Sequence, residues 1–192
     1  MSQHAASIPD RYFEDLYSAK PDPWGFSTSD YERDKYAATL AALGDRRFRH
    51  ACEVGCSIGV FTRLLAPRCD SLLAIDVAPA ALVQARARCA DLKQARFRRM
   101  RIPGEWPSGR FDLILFSEVL YYLCPADIRR AAAQALASLE PGGRVLLVHW
   151  TGETDYPCSG DDAAALFIAA ADPHLRPILQ QRQPEYRLDL LG

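Results

Sequence analysis

The stretch Glu53-Val54-Gly55-Cys56-Ser57-Ile58-Gly59 puts a carboxylate, a hydroxyl and two glycines into one short turn. It follows an apolar run that reads as a strand and precedes one that reads as a helix. In open α/β sheets, ligands bind outside such strand ends, at the topological switch point. Gly55 permits a tight turn and Gly59 a close backbone approach. Asp76 ends the next strand, where an acid can accept hydrogen bonds from both hydroxyls of a ribose. Three chemistries compete for this pattern. A dinucleotide site needs G-x-G-x-x-G, and glycines stand here only at 55 and 59, so the pyrophosphate contact is poorly supplied. Gly55-x-Ser57-x-Gly59 also fits the elbow of a serine hydrolase, with Ser57 as nucleophile and His149 downstream, but no oxyanion-loop sequence precedes it. The third chemistry is binding of S-adenosylmethionine (SAM), whose ammonium and sulfonium suit the carboxylate of Glu53. The plain alternative is that both glycines serve only helix–strand packing.

The elements that position these residues follow from hydrophobic periodicity. Strands are expected at 50–55, 71–75, 95–100, 111–116 and 144–149, and helices at 58–66, 79–90, 125–139 and 161–171. Two last strands, about 176–182 and 185–191, are too close for a crossover and should pair antiparallel. Strand and helix alternate, and the buried strands read as continuous apolar runs, which implies a parallel sheet covered on both faces. The expected fold is α/β: a Rossmann-like, doubly wound, mostly parallel seven-stranded sheet with an antiparallel C-terminal edge. Ahead of it, 9–46 reads as a helical lid, with helices at 11–19 and 29–43 around the Pro-broken loop 20–26. Ser29 and Glu32 form a capping box. Residues 1–8 read as frayed. The whole chain, 1–192, reads as one domain, with 9–46 the lid and 47–192 the core.

Composition narrows the class. The chain has 192 residues, enough for a full core without disulfides or metal. With 23 basic and 24 acidic residues the net charge is -1, so the basic footprint of a nucleic-acid binder is missing. The run Arg96, Arg98, Arg99, Arg101 reads as a strand with a solvated face. No apolar stretch is long enough to span a bilayer, and residues 1–10 lack the pattern of a secretory signal. The six cysteines form no C-x-x-C pair, so a zinc site is not expected. Reduced thiols and a cytoplasmic location are.

The motifs add a resemblance. Glu53-Val54-Gly55-x-x-x-Gly59, Ile75-Asp76, Phe111-Asp112-Leu113-Ile114 and Pro141-Gly142-Gly143 resemble the class I SAM-dependent methyltransferase series. Tyr12-Phe13 to Tyr17, Asp22-Pro23-Trp24-Gly25-Phe26, Tyr31-Glu32-Arg33 to Lys35-Tyr36 and Ser117-Glu118-Val119-Leu120-Tyr121-Tyr122-Leu123 further resemble the nodulation-protein-S (NodS)-like methyltransferases. The likeness runs from about Tyr12 to Leu190. It implies methyl transfer to a small-molecule nucleophile, by family analogy an amine nitrogen, since the namesakes N-methylate an amino sugar. Small-molecule O-methylation and a non-catalytic SAM-binding module are the alternatives. Two departures stand out. Ser57 replaces the middle glycine of the common turn, which suits a backbone that is not left-handed. Arg101 stands where the family often has Asp, so backbone near Met100, Arg101 and Ile102 would read the adenine edge.

The resemblance also distributes roles. Glu53, Gly55, Ser57, Gly59, Asp76, Val77 and Ser117 would line the cofactor S-adenosyl-L-methionine and its product S-adenosyl-L-homocysteine (SAH). Trp24 would pack on the cofactor or substrate, or only anchor its loop, and Arg33 would pair with the cofactor carboxylate or else be a solvated helix residue. Glu118 would bind the acceptor amine or take its proton, or else be an exposed carboxylate at a helix N-terminus. His149 and Tyr122 are further catalytic candidates, with a buried imidazole bonded to backbone as the alternative for His149. Tyr121, Tyr31, Trp150, Asp155 and Tyr156 would face the substrate. No metal, nucleic acid or membrane enters this scheme. The broken loop at 20–26 suggests that the lid closes when cofactor binds.

Overall fold

The computed structural model describes residues 6–192. Its strands form one seven-stranded sheet in the order β3-β2-β1-β4-β5-β7-β6. The chain divides into two compact units, one of Pro9–Arg101 and the other of Ile102–Gly192 with the segment up to Ile8.

The unit Pro9–Arg101 holds α1 (Asp10–Ala19), α2 (Asp30–Ala42), β1 (Phe48–Val54), α3 (Val60–Leu65), β2 (Cys69–Asp76), α4 (Pro79–Arg88) and β3 (Ala95–Arg99). The segment expected as a lid thus shares a unit with the first three strands. β1, β2 and β3 pair parallel, with Val54 opposite Ile75 and Asp76 opposite Arg99. β1 starts two residues earlier than expected, because Phe48 already pairs with Cys69 and is buried. α3 starts at Val60 rather than 58, since its N-cap Gly59 is left-handed. Ser29 caps α2 by accepting from the Glu32 N–H, but only this half of the expected capping box forms: the Ser29 N–H donates to Gly25 O and the Glu32 carboxylate pairs with Lys35. Pro79 sits in the first turn of α4, where its missing N–H costs nothing. α1 buries one side chain fully, Tyr17, in a cluster with Ile58, Ala78 and Ala81 against which Phe13 and Phe26 pack.

The second unit holds β4 (Phe111–Ser117), α5 (Pro125–Ser138), β5 (Leu139–Trp150), α6 (Gly160–Ala171), β6 (Pro177–Arg182) and β7 (Tyr186–Leu191). β4 is buried along nearly its whole length, as its unbroken apolar run implies. It pairs parallel with β5, and β7 pairs antiparallel with both β5 and β6. Helix α5 stops at Ser138, and β5 begins at once rather than at 144. Leu139 faces Phe111 and Arg144 faces Leu113, so Pro141-Gly142-Gly143 is an irregularity inside the strand, with Gly142 left-handed. Ile8 donates its N–H to Tyr122 O at 2.8 Å and Ser7 Oγ donates to Asp127 at 2.6 Å. Residues 7 and 8 are therefore tied down, contrary to the frayed segment expected there; residues 1–5 lie outside the described residues. Among the described residues, no helix is long and apolar enough to cross a membrane.

Candidate functional site

Two non-glycine residues among those described have positive φ, Ser57 at 48° and Glu118 at 55°. Each follows the C-terminal end of a strand, β1 and β4. A left-handed L-residue costs about 1 kcal/mol, and such strain persists where surrounding bonds enforce it.

In the unit Pro9–Arg101 the enforcing group is Asp76, at the end of β2. Its Oδ2 accepts the Ser57 N–H at 2.8 Å and its Oδ1 the Ala78 N–H at 2.9 Å. Burial pushes the Asp76 carboxyl up, and the backbone bonds from Ala78, Ser57 and Val77 pull it back. Gly55 (φ 86°), Ser57 and Gly59 (φ 78°) alternate as left-handed residues along the turn. The expectation that Ser57 avoids that conformation is thus overturned. Its hydroxyl lies 2.5 Å from Tyr17 OH, so α1 touches the turn directly. Burial raises the Tyr17 phenol further from ionisation. Gly59 has a packing reason: a Cβ there would lie 2.9 Å from Ala85 Cα of α4.

Glu53 is 1% exposed and faces α3, where Thr62 Oγ1 donates to its Oε2 at 2.6 Å. Burial, partly offset by that hydrogen bond and reinforced by the Asp76 charge, pushes its pKa from 4.5 to about 7. The folded protein therefore binds this proton more tightly than the unfolded chain. The stabilisation is complete below the unfolded value and is lost as pH rises through the folded one. Measured against Glu53→Gln, the thermal midpoint of the wild type should fall between pH 4.5 and 7 and level off above. A difference that stays flat across that window would contradict the buried carboxyl.

The other expected cofactor residues of this unit lie as follows. Met100 N–H donates to Asp76 O at 3.1 Å, carrying the chain past the end of β3. Arg101 Nε pairs with Asp10 of α1 at 2.8 Å, and Arg99 reaches Glu14 at 3.2 Å. Trp24 stands edge-on to Tyr17 at 5.6 Å, in a loop held by Asp22, which accepts from Phe26 N, Ser27 N and Ser27 Oγ. The Arg33 side chain is 68% exposed and pairs with Asp30 and Asp34 on its own helix. Tyr31 lies beneath Lys35, whose Nζ is 5.1 Å from the ring centroid. Lys35 also pairs with Glu32 at 3.0 Å, and both side chains are buried. The sequence marks Glu32 as a capping-box residue and both residues as part of a family-like motif, but not their burial as an ion pair.

In the second unit the centre is Glu118. Tyr121 OH donates to its Oε2 at 3.0 Å and the Trp150 N–H donates to the same oxygen at 2.7 Å. Its own N–H donates to Val148 O at 2.9 Å, which extends the sheet one residue past Ser117. Burial, then the Glu118 charge, raise the Tyr121 phenol, so it stays a donor at neutral pH. Tyr121, Tyr122 and Tyr156 pack together: Tyr121 stacks on Tyr156 at 5.5 Å, and Tyr122 meets each of the others edge-on at 4.6 Å. His149 is fully buried. Its Nε2 accepts the Leu120 N–H at 3.2 Å, which fixes the neutral tautomer with the proton on Nδ1. Asp155 is exposed in the segment 151–159, with Tyr156 folded inward beside it. Ile102 is buried at the start of this unit, and Val77 and Ser117 are partly exposed at their strand ends.

A sequence profile of the family described as Nodulation protein S (NodS) matches residues 12–149. Nodulation protein S of Rhizobium tropici is 36% identical over 130 residues, 67% of this chain and 55% of the relative. That of Bradyrhizobium diazoefficiens is 37% identical over 122 residues, 63% of this chain and 58% of the relative. The chain spans a little over half the length of these curated relatives. Among solved structures, N-methyltransferase NodS from Bradyrhizobium japonicum WM9 in complex with S-adenosyl-L-homocysteine superimposes with a TM-score of 0.82. The two are 25% identical, with 96% of this chain and 98% of that one covered.

Proposed function

The chain belongs to the Nodulation protein S family, and from that premise we propose that it is a SAM-dependent methyltransferase acting on an amine nitrogen of a small molecule. The observation that carries the reading is the anchored carboxylate of Asp76 at the end of β2. Asp76, held at both oxygens by backbone N–H groups, suits a ribose diol, because its second lone pairs can accept two further hydroxyls. The turn Gly55–Gly59 approaches the cofactor through backbone, with Val77 and the backbone from Met100 beside the adenosine. When bound, SAM supplies an electrophilic methyl group on a positively charged sulfur.

The residues of the chain supply alignment and proton traffic. An ammonium must lose a proton before its nitrogen lone pair can form the new N–C bond as the C–S bond breaks. Glu118 is assigned to hold that ammonium and accept the proton. Tyr121 and the Trp150 N–H hold the carboxylate in place, so Tyr121 is a positioning residue. His149 is given the same kind of role, fixing Leu120 and hence the turn after Glu118. Tyr122, Tyr156 and Asp155 flank the acceptor. Six free thiols suit a reducing cytoplasm.

Methyl-labelled SAM incubated with a panel of small amines, amino sugars among them, and their matched alcohols tests this assignment. Label should reach the amines alone. Glu118→Gln should lower kcat by about 100-fold while SAH still binds. Label on the alcohols, or an unchanged kcat in the variant, would refute nitrogen transfer through Glu118.

A further inference from the structure

Ser57 occupies a left-handed position that glycine would fill without strain. Its hydroxyl offers a reason for the choice. Ser57 Oγ and Tyr17 OH lie 2.5 Å apart. The Tyr17 ring is 6% exposed, in the cluster that holds α1 against Ile58, Ala78 and Ala81. A buried phenol needs a polar partner, and here that partner belongs to the turn. The Ser57 N–H in turn donates to Asp76 Oδ2. One chain of bonds thus runs from α1 through Tyr17 and Ser57 to Asp76, all within a single compact unit. Further polar ties of this N-terminal segment involve other groups, among them Arg99 to Glu14, Arg101 to Asp10 and Gln84 Nε2 to Pro21 O.

We propose that Ser57 is a positioning residue that couples docking of α1 to the shape of the Gly55–Gly59 turn, so that cofactor affinity depends on Tyr17. The affinity arm of this inference rests on the methyltransferase reading; the docking arm does not. Strain and hydrogen bond act in opposite senses, which separates the proposal from a merely structural role. Ser57→Gly removes both. It should leave the thermal midpoint unchanged or raise it, yet weaken SAH binding by about fivefold, the loss of one hydrogen bond. Amide exchange in α1, measured on the protein without cofactor, should accelerate by a similar factor. Tyr17→Phe should weaken binding as much, and the double variant should be no worse than either single one.

The test is calorimetric titration with SAH and hydrogen exchange on the wild type, Ser57→Gly, Tyr17→Phe and the double variant. Wild-type affinity in Ser57→Gly, unchanged exchange in α1, or additive losses in the double variant would each overturn the coupling. A wild type that bound no SAH would instead sink the methyltransferase reading, and exchange in α1 would still decide whether Ser57 holds the helix.

Discussion

Asp76→Ala should lose at least about 100-fold in affinity for SAH, because each hydrogen bond to a charged acceptor contributes about 1.5–3 kcal/mol and two ribose hydroxyls lose theirs. The substitution does more than remove ligand contacts. It takes the acceptor from the N–H groups of Ser57 and Ala78. The left-handed Ser57 then loses the partner of its backbone N–H and keeps the hydroxyl bond to Tyr17. The turn should relax at the same time as the ribose loses its partner. Asp76→Asn keeps the shape and one acceptor oxygen, and should lie between the wild type and the alanine variant. Calorimetry with SAH, with circular dichroism to verify the fold, measures the series. Binding by Asp76→Ala within threefold of the wild type would remove Asp76 from the site.

Gly160→Ala should be the most damaging of the small substitutions for stability. A Cβ at Gly160 would overlap the Trp150 carbonyl oxygen and lie 3.3 Å from His149 Cβ. The carbonyl is rigid backbone in β5, so the helix or the strand end must move. Forcing atoms into a packed interior costs about 3 kcal/mol at such a site, or roughly 8 °C in thermal midpoint for a chain of this size. Gly44 provides the contrast: its φ is +60°, but nothing lies within 4 Å of the place a Cβ would take. Gly44→Ala should therefore lose only the conformational term, about 1 kcal/mol. The displacement in Gly160→Ala also reaches the site, since the Trp150 N–H donates to Glu118. A thermal melt of the two variants checks the order, and equal losses would contradict the close approach of α6 to β5.

What can be read from the sequence follows physical range. β4, an unbroken apolar run, and the antiparallel pairing of β6 with β7 are encoded locally, and both appear as expected. Strand starts are less legible: Phe48 joins β1 only because Cys69 lies opposite it. The Pro141-Gly142-Gly143 segment reads as a stop between helix and strand. It is an irregularity within β5, because Leu139 finds a partner in Phe111 before the turn. Within the site, residue types are legible but directions are not. Glu53 turns inward to Thr62, and Arg33 pairs along its own exposed helix face. His149 is spent on a backbone N–H. Each of these depends on which neighbour tertiary folding brings near. The same holds for Tyr17 and Ser57, 40 residues apart, and for the burial of Glu32 with Lys35. Periodicity places residues on a face, and says nothing of what that face meets.

The most direct measurement is calorimetric titration of the wild-type protein with SAH, with NAD and NADP run beside it. The account predicts one low-micromolar site for SAH and no heat from either dinucleotide. Saturable binding of a dinucleotide, or no binding of SAH, would contradict it.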